Sequence, residues 1–262
     1  MKMSILTLGC KVNQAESAVI EGNIRDSGFE IVPLSGNPDY CVINTCSVTS
    51  KSDYQSRQLI RRAVRTGAKV IVTGCYAELR PEEIKQIDSH IDVVANENKT
   101  NIISMITDRT ESTNLSFSGR SRPYIKVQDG CNYSCSYCIV PRARGRSRSV
   151  QVSKIVDQAL RLESLGFHEL VLTGIHLGSF GYDIKPKLSL SSLIKTLLKE
   201  TKNVRIRLSS IEVNELDDEL LDLLMEKRIC NHLHIPLQCG DDGVLKRMKR
   251  MYTSHYYIEK IE

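Results

Sequence analysis

The sequence predicts an α/β protein. An N-terminal parallel-sheet βαβ domain is expected over residues 1–110, a linker over 111–121, and an incomplete (β/α) partial barrel over 122–262. Three observations predict it. Short apolar runs alternate with segments of helical apolar spacing through the first part of the chain. A polar stretch rich in Ser and Thr, TDRTESTNLSFSGRS from residue 107, then interrupts the alternation. A second alternating series follows and runs to the end.

Residues 3–8 are a short apolar run, a strand, and 14–27 carry helical spacing. Residues 40–43 are the next strand. Residues 52–65 predict a helix with a basic stripe, Arg57, Arg61 and Arg65, spaced four apart. A third strand lies at 69–72; Pro81 suits the first turn of a helix reaching Ser89, and 91–94 is a fourth strand. Beyond the linker, strands are expected at 124–128, 169–173, 204–208 and 233–237, with helices at 153–165, 190–199 and 216–226. Four β-α units do not close a barrel. The chain stops at Glu262, inside a helix opened by Ser254, so the barrel is expected to be cut short.

Composition narrows the class. With 41% hydrophobic residues the chain can bury a core, which excludes wholesale disorder. No apolar run approaches the ~20 residues of a membrane helix. The opening MKMSILTLGC has too short an apolar core for a secretory signal, so a cytoplasmic protein is expected. Nine cysteines in a reducing compartment point to metal or catalysis rather than to disulfides. The net charge of +5 is unevenly placed. Between Arg120 and Arg148 seven basic residues face one acidic; between Lys51 and Lys69 six face one. Such concentrations suit an anionic partner such as nucleic acid, or else a solvated helix face and a basic loop. Trp is absent and Phe numbers 4, so stacking on bases falls to the 10 Tyr.

Cys131, Cys135 and Cys138 form Cys-x3-Cys-x2-Cys in DGCNYSCSYCIVPRARG, a loop after a predicted strand. Structural zinc usually takes four ligands from paired hooks. Three thiolates at uneven spacing suit an iron–sulfur cube with one iron left open for substrate or cofactor; a zinc knuckle lacking its last ligand is the bland alternative. Cys10, Cys46 and Cys75 each follow an apolar run and a turn residue, in ILTLGC, YCVINTC and KVIVTGC. Strand ends of a parallel sheet share one edge, so the three thiols are expected to converge. A second cluster, or coincidental burial of small apolar cysteines, accounts for them.

The loop CNYSCSYC resembles the radical S-adenosylmethionine (SAM) enzymes, and the pair of constellations resembles their methylthiotransferase family. LGCKVNQAES is similar to the branch acting on N6-threonylcarbamoyladenosine in tRNA. Further matching stretches are INTCSVT, VTGCYAE, GCNYSCSYCIVPRARGRSRS, RLSSIE and HIPLQ. Two stretches depart from the family pattern: LQSG is LQCG here, with Cys239 at the Ser position, and Ser-Ile-Glu-Pro is Ser-Ile-Glu-Val. The family also continues into two more barrel strands and a small β-rich RNA-binding domain.

The resemblance implies two [4Fe-4S] clusters and SAM as cofactors. It implies a radical SAM partial barrel, with Cys131, Cys135 and Cys138 on the cluster that passes one electron to SAM. The resulting 5′-deoxyadenosyl radical takes the hydrogen at C2 of the adenine, a C–H that no general base usefully deprotonates. The second cluster, on Cys10, Cys46 and Cys75, delivers sulfur, and a second SAM supplies the methyl group. Tyr137, Gly174, Ser210, Glu212, Gln238 and Arg250 lie in stretches expected around SAM. Arg142, Arg144, Arg146 and Arg148 are expected partly on the tRNA backbone and partly in internal salt bridges, with Arg57, Arg61 and Arg65 as a second phosphate track. His232 and His234 are expected on one face of a strand, lining the barrel or core, and Cys41, Cys230 and Cys239 as buried or pocket thiols. Partners implied are tRNA and an electron donor such as flavodoxin or ferredoxin. Isopentenyladenosine in tRNA and a ribosomal-protein aspartate are alternative substrates. A non-catalytic iron–sulfur electron carrier, or an inactive fragment, is the alternative of another class.

Overall fold

Strand–helix alternation over the first part of the chain builds a five-stranded parallel sheet, in a computed structural model that describes residues 1–107 and 121–262. The expected linker lies almost wholly outside the described residues, as does Arg120. Contacts divide the chain into two units: residues 1–107 with Arg142–Arg144, and residues 121–141 with Gly145–Glu262.

In the first unit, β1 (Lys2–Thr7) leads into α1 (Lys11–Asp26), β2 (Glu30–Ile31), β3 (Tyr40–Thr45), α2 (Ser50–Val64) and β4 (Lys69–Gly74). The short helices α3 (Cys75–Leu79) and α4 (Pro81–Ile87), strand β5 (Asp92–Val93) and α5 (Asn101–Ile106) follow. Sheet order is β2-β1-β3-β4-β5, all parallel. Alternation with period two buries both faces. Cys41, Ile43, Val70 and Val72 pack with Ile60, Ala63 and Tyr76 on one side, and Met3, Val42 and Ile71 with Ile20, Ile24 and Ile102 on the other. Helix α2 starts where Thr49 caps it, its hydroxyl accepting from the Ser52 amide at 3.1 Å. The two-residue β2 and helix α5 are additions to the sequence expectation, too short for a periodic signal.

The second unit holds β6 (Tyr124–Lys126), β7 (Gln128–Asp129), α6 (Val140–Arg144, whose last three residues cluster with the first unit), β8 (Arg148–Ser149), α7 (Val152–Ser164), β9 (Glu169–Thr173) and α8 (Leu190–Glu200). It ends in β10 (Arg205–Leu208), α9 (Asp218–Leu223), α10 (Asp242–Arg247) and α11 (Ser254–Ile261). Strands β10, β9 and β6 form a parallel sheet in that order; β7 and β8 pair antiparallel and bracket the cysteine loop. A capping box between Ser189 and Ser192 opens α8, whose Leu193, Ile194 and Leu197 are buried.

The strand expected at 233–237 does not form. Only two isolated parallel bridges, Ile206↔Ile229 and Ser210↔His234, continue the sheet. Pro236 explains this, because it has no N–H to give to a ladder. His232 and His234 are consequently exposed rather than in a strand face or core. No described helix is long and apolar enough to cross a membrane.

Candidate functional site

In the second unit the chemistry-bearing residues sit in the loops that follow the carboxyl ends of β6, β9 and β10, where parallel α/β sheets gather ligands. The first loop carries Cys131, Cys135 and Cys138, all partly exposed. The Tyr133 amide donates to Cys131 Sγ at 3.4 Å and the Cys138 amide to Cys135 O at 3.1 Å. Ser136 ties the loop to the end of α10: its amide donates to Met248 O and its hydroxyl to Arg247 O.

His176, after β9, joins three loops. Its Nδ1 lies 3.7 Å from Cys131 Sγ, and its Nε2 lies against Glu215 Oε1 in the loop after β10. The Tyr133 ring packs on the imidazole with centroids 4.3 Å apart, while Asn214 donates to Tyr133 Oη. The His176 amide donates to Gln128 Oε1 at 2.8 Å. Gly178 makes room for the carboxylate: a Cβ there would stand 2.2 Å from Glu215 Oε2. Burial pushes His176 down, but the Cys131 and Glu215 contacts outweigh it and raise its pKa to about 9. Burial also pushes the Cys131 thiol up; the His176 and Tyr133 hydrogen bonds more than offset this, so it lies below the usual thiol range.

Arg250 gathers two of the residues expected around SAM, Glu212 and Tyr137. It ion-pairs with Glu212, and its Nη1 reaches Tyr137 Oη at 3.3 Å and Cys135 Sγ at 3.5 Å. Tyr137 is half exposed, so its ring is free to meet a ligand. Ser210 is engaged elsewhere, its hydroxyl 2.6 Å from His234 Nδ1. Gly174 lies behind the loop, where a Cβ would come within 2.9 Å of Gln128 Oε1. Gln238 is exposed with φ of 68° and makes no hydrogen bond to the Arg250 group. Cys239 accepts from the Asp241 amide at 3.5 Å, and Cys230 is buried, as expected.

In the first unit, Cys10, Cys46 and Cys75 follow the ends of the adjacent strands β1, β3 and β4, in register Thr7↔Asn44 and Thr45↔Gly74. A Cβ on Gly9 would lie 2.9 Å from Cys46 Sγ, so that thiol turns toward the segment carrying Cys10. Cys10 is exposed, whereas Cys46 and Cys75 are buried. Burial raises the Cys75 thiol, against the Arg144 guanidinium, which hydrogen-bonds it, and the Lys99 charge. Those cations belong to a buried network. Arg144 donates to Glu16 Oε1 at 2.9 Å and to Asn13 Oδ1, and Lys99 pairs with Glu16. Asn13 donates in turn to Leu8 O and Thr45 O, behind two of the cysteines.

Arg144 therefore does not face an RNA backbone; it is buried in an ion pair. Arg148 is exposed in part and pairs with Asp129 at 2.9 Å. Arg142 and Arg146 are exposed. Among the described residues, no three Cys, His, Asp or Glu side chains close on a point as ligands of one ion do. A cube asks for something else, since each thiolate takes its own iron corner and the sulfurs face a shared volume. N–H donors aimed at Cys131 and Cys135, and cations beside Cys75, suit sulfurs that carry negative charge. Each triplet could thus hold such a group. His176, Glu215, Asn13, Glu16 and Lys99 went unnoticed in the sequence. The one available signal was the i, i+3 pair Asn13 and Glu16 on one face of α1.

A three-thiol loop at the carboxyl edge of a parallel sheet agrees with the radical SAM class that the family match gives. Residues 125–262, just over half the chain, match the Radical SAM superfamily, whose members use SAM and a [4Fe-4S] cluster. Residues 2–96 match the family described as Uncharacterized protein family UPF0004. The chain is 38% identical to Threonylcarbamoyladenosine tRNA methylthiotransferase MtaB of Bacillus subtilis, over 97% of this chain and 61% of that protein. It is 37% identical to the protein of the same name from Aquifex aeolicus, over 100% of this chain and 68% of that one. This chain belongs to the MtaB branch of the radical SAM methylthiotransferase family. It spans between 61% and 68% of the length of these relatives. In fold it is similar to the radical SAM methyltransferase TsrM from Kitasatospora setae, with a TM-score of 0.68 at 14% identity over 100% of this chain and 65% of that one.

Proposed function

We propose that the chain transfers a methylthio group to C2 of N6-threonylcarbamoyladenosine next to the anticodon of tRNA. The observation that carries this reading is the presence of a cysteine triplet at the carboxyl edge of each parallel sheet, in a chain of the MtaB branch. Both relatives above bear that substrate in their names.

When bound, the SAM cluster supplies the one-electron chemistry that breaks an unreactive C–H bond. Cys131, Cys135 and Cys138 would hold it, next to the place where SAM would bind. Arg250, fixed by Glu212, orients both Cys135 and the Tyr137 ring beside the ligand. Cys10, Cys46 and Cys75 would hold a second cluster as the sulfur source, with Arg144 and Lys99 as the cations beside Cys75. Exposed Arg142 and Arg146 face tRNA phosphates, for which guanidinium forks are suited. An electron donor such as flavodoxin or ferredoxin supplies electrons in the cytoplasm. The first domain spans residues 1–110 and the SAM domain begins at 122.

Nucleoside mass spectrometry of tRNA from cells with and without the gene tests the reading. Loss of the methylthio form of threonylcarbamoyladenosine in the deletion, not restored by a Cys131→Ala copy, is the expected result. An unchanged level overturns the substrate assignment.

A further inference from the structure

Helix α2 carries a face that neither cysteine edge uses. Residues advance about 100° per step and 1.5 Å along the axis. Lys51, Tyr54, Arg57, Arg61 and Arg65 therefore fall within about 120° of one another, on a track roughly 21 Å long. The opposite side, Ser56, Ile60 and Ala63, is buried. Tyr54 is 57% exposed among these cations. Asp53, the one acid of the helix, is drawn aside by the Ser47 hydroxyl, which donates to it at 2.5 Å. Glu83 of α4 is answered by Arg57 at 3.7 Å, Arg80 at 3.5 Å and the Tyr76 hydroxyl at 2.7 Å. Among the described residues, no carboxylate lies within ion-pair distance of Arg61 or Arg65. Together with Arg57 they line a groove of about 640 Å³ between α2 and α4.

Helix stability explains only part of this face. Cations in the last turn complement the dipole, which covers Arg61, Arg62 and Arg65. Lys51 stands in the first turn, where the dipole opposes it, and Arg57 lies mid-helix. We propose that the α2 face is a track for a phosphodiester backbone, with Arg61 and Arg65 on successive phosphates and Tyr54 stacked on an unpaired base. The tRNA identity of that strand rests on the function proposed above. An acidic protein fits less well, because a protein interface needs an apolar centre and this face offers one aromatic ring among charges.

The test is a titration of tRNA bearing N6-threonylcarbamoyladenosine across a salt series, with wild type, the charge reversal Arg61→Glu/Arg65→Glu, and Tyr54→Ala. Circular dichroism and iron content serve as folding controls, since all three positions are on the surface. The reversal is expected to cut affinity at low salt at least about tenfold and to reduce the slope of log K against log salt by about two. Tyr54→Ala is expected to weaken binding about tenfold with the slope unchanged. A charge reversal that binds tRNA with wild-type affinity and slope overturns the track while leaving the function intact. A reversal that spares tRNA binding but slows reduction by flavodoxin also overturns it and assigns the face to a protein. Wild type that binds no tRNA sinks the function and the track together.

Discussion

His176 closes on Glu215, its Nε2 against the carboxylate, while its Nδ1 faces Cys131 Sγ 3.7 Å away. One side chain thus links the loops after β6, β9 and β10. Both partners are buried, and a buried pair is most costly when one member is removed. Glu215→Gln is expected to lower the stability of the iron-free protein by about 3 kcal/mol, read as a shift in denaturant midpoint. With the cluster loaded, the same variant is expected to change its reduction potential, because hydrogen bonds to ligand sulfur set that quantity. An unaltered midpoint and potential would mean that the contact is idle.

Arg144 fills a comparable place in the first unit, where it meets Glu16 and Asn13 beside Cys75. Arg144→Met removes one cation from the buried Glu16 carboxylate and is expected to cost about 3 kcal/mol. Arg142→Met, at an exposed neighbour, is expected to cost less than about 0.5 kcal/mol. Equal losses in the two melts would refute the burial argument.

Glu169 makes the second sheet sensitive to acid. Arg207 donates to it at 2.6 Å and holds its carboxyl below the ordinary glutamate range. A carboxylate lowered on folding contributes stability that is present above its unfolded pKa of about 4.3 and is lost as pH falls through the folded value. Glu169→Gln is expected to flatten the acid limb of stability below about pH 4.3, measured by urea denaturation, relative to wild type.

The parallel sheets, and the placement of the cysteines after strand ends, were legible because each rests on local signals. The runs of β3 and β4 end directly before Cys46 and Cys75, that of β1 ends two residues short of Cys10, and the three-thiol motif lies within one short loop. The partners of those thiols were not legible. Arg144 lies 128 residues from Glu16, and in sequence it looks like Arg142 or Arg146. His176 and Glu215 likewise meet only through the fold and leave no spacing to find. The strand expected at 233–237 failed because Pro236 withholds a donor, a local fact outweighed in the sequence by flanking apolar residues.

Iron and sulfide counting after anaerobic reconstitution tests the central claim most directly. The wild-type chain is expected to take up about eight irons, at four per cube. Replacing Cys10, Cys46 and Cys75 with Ala, or Cys131, Cys135 and Cys138 with Ala, is expected to leave about four in either case, with SAM altering the cube's spectrum only when the second triplet is intact. A wild type holding about four irons, lost with one triplet and indifferent to the other, would contradict it.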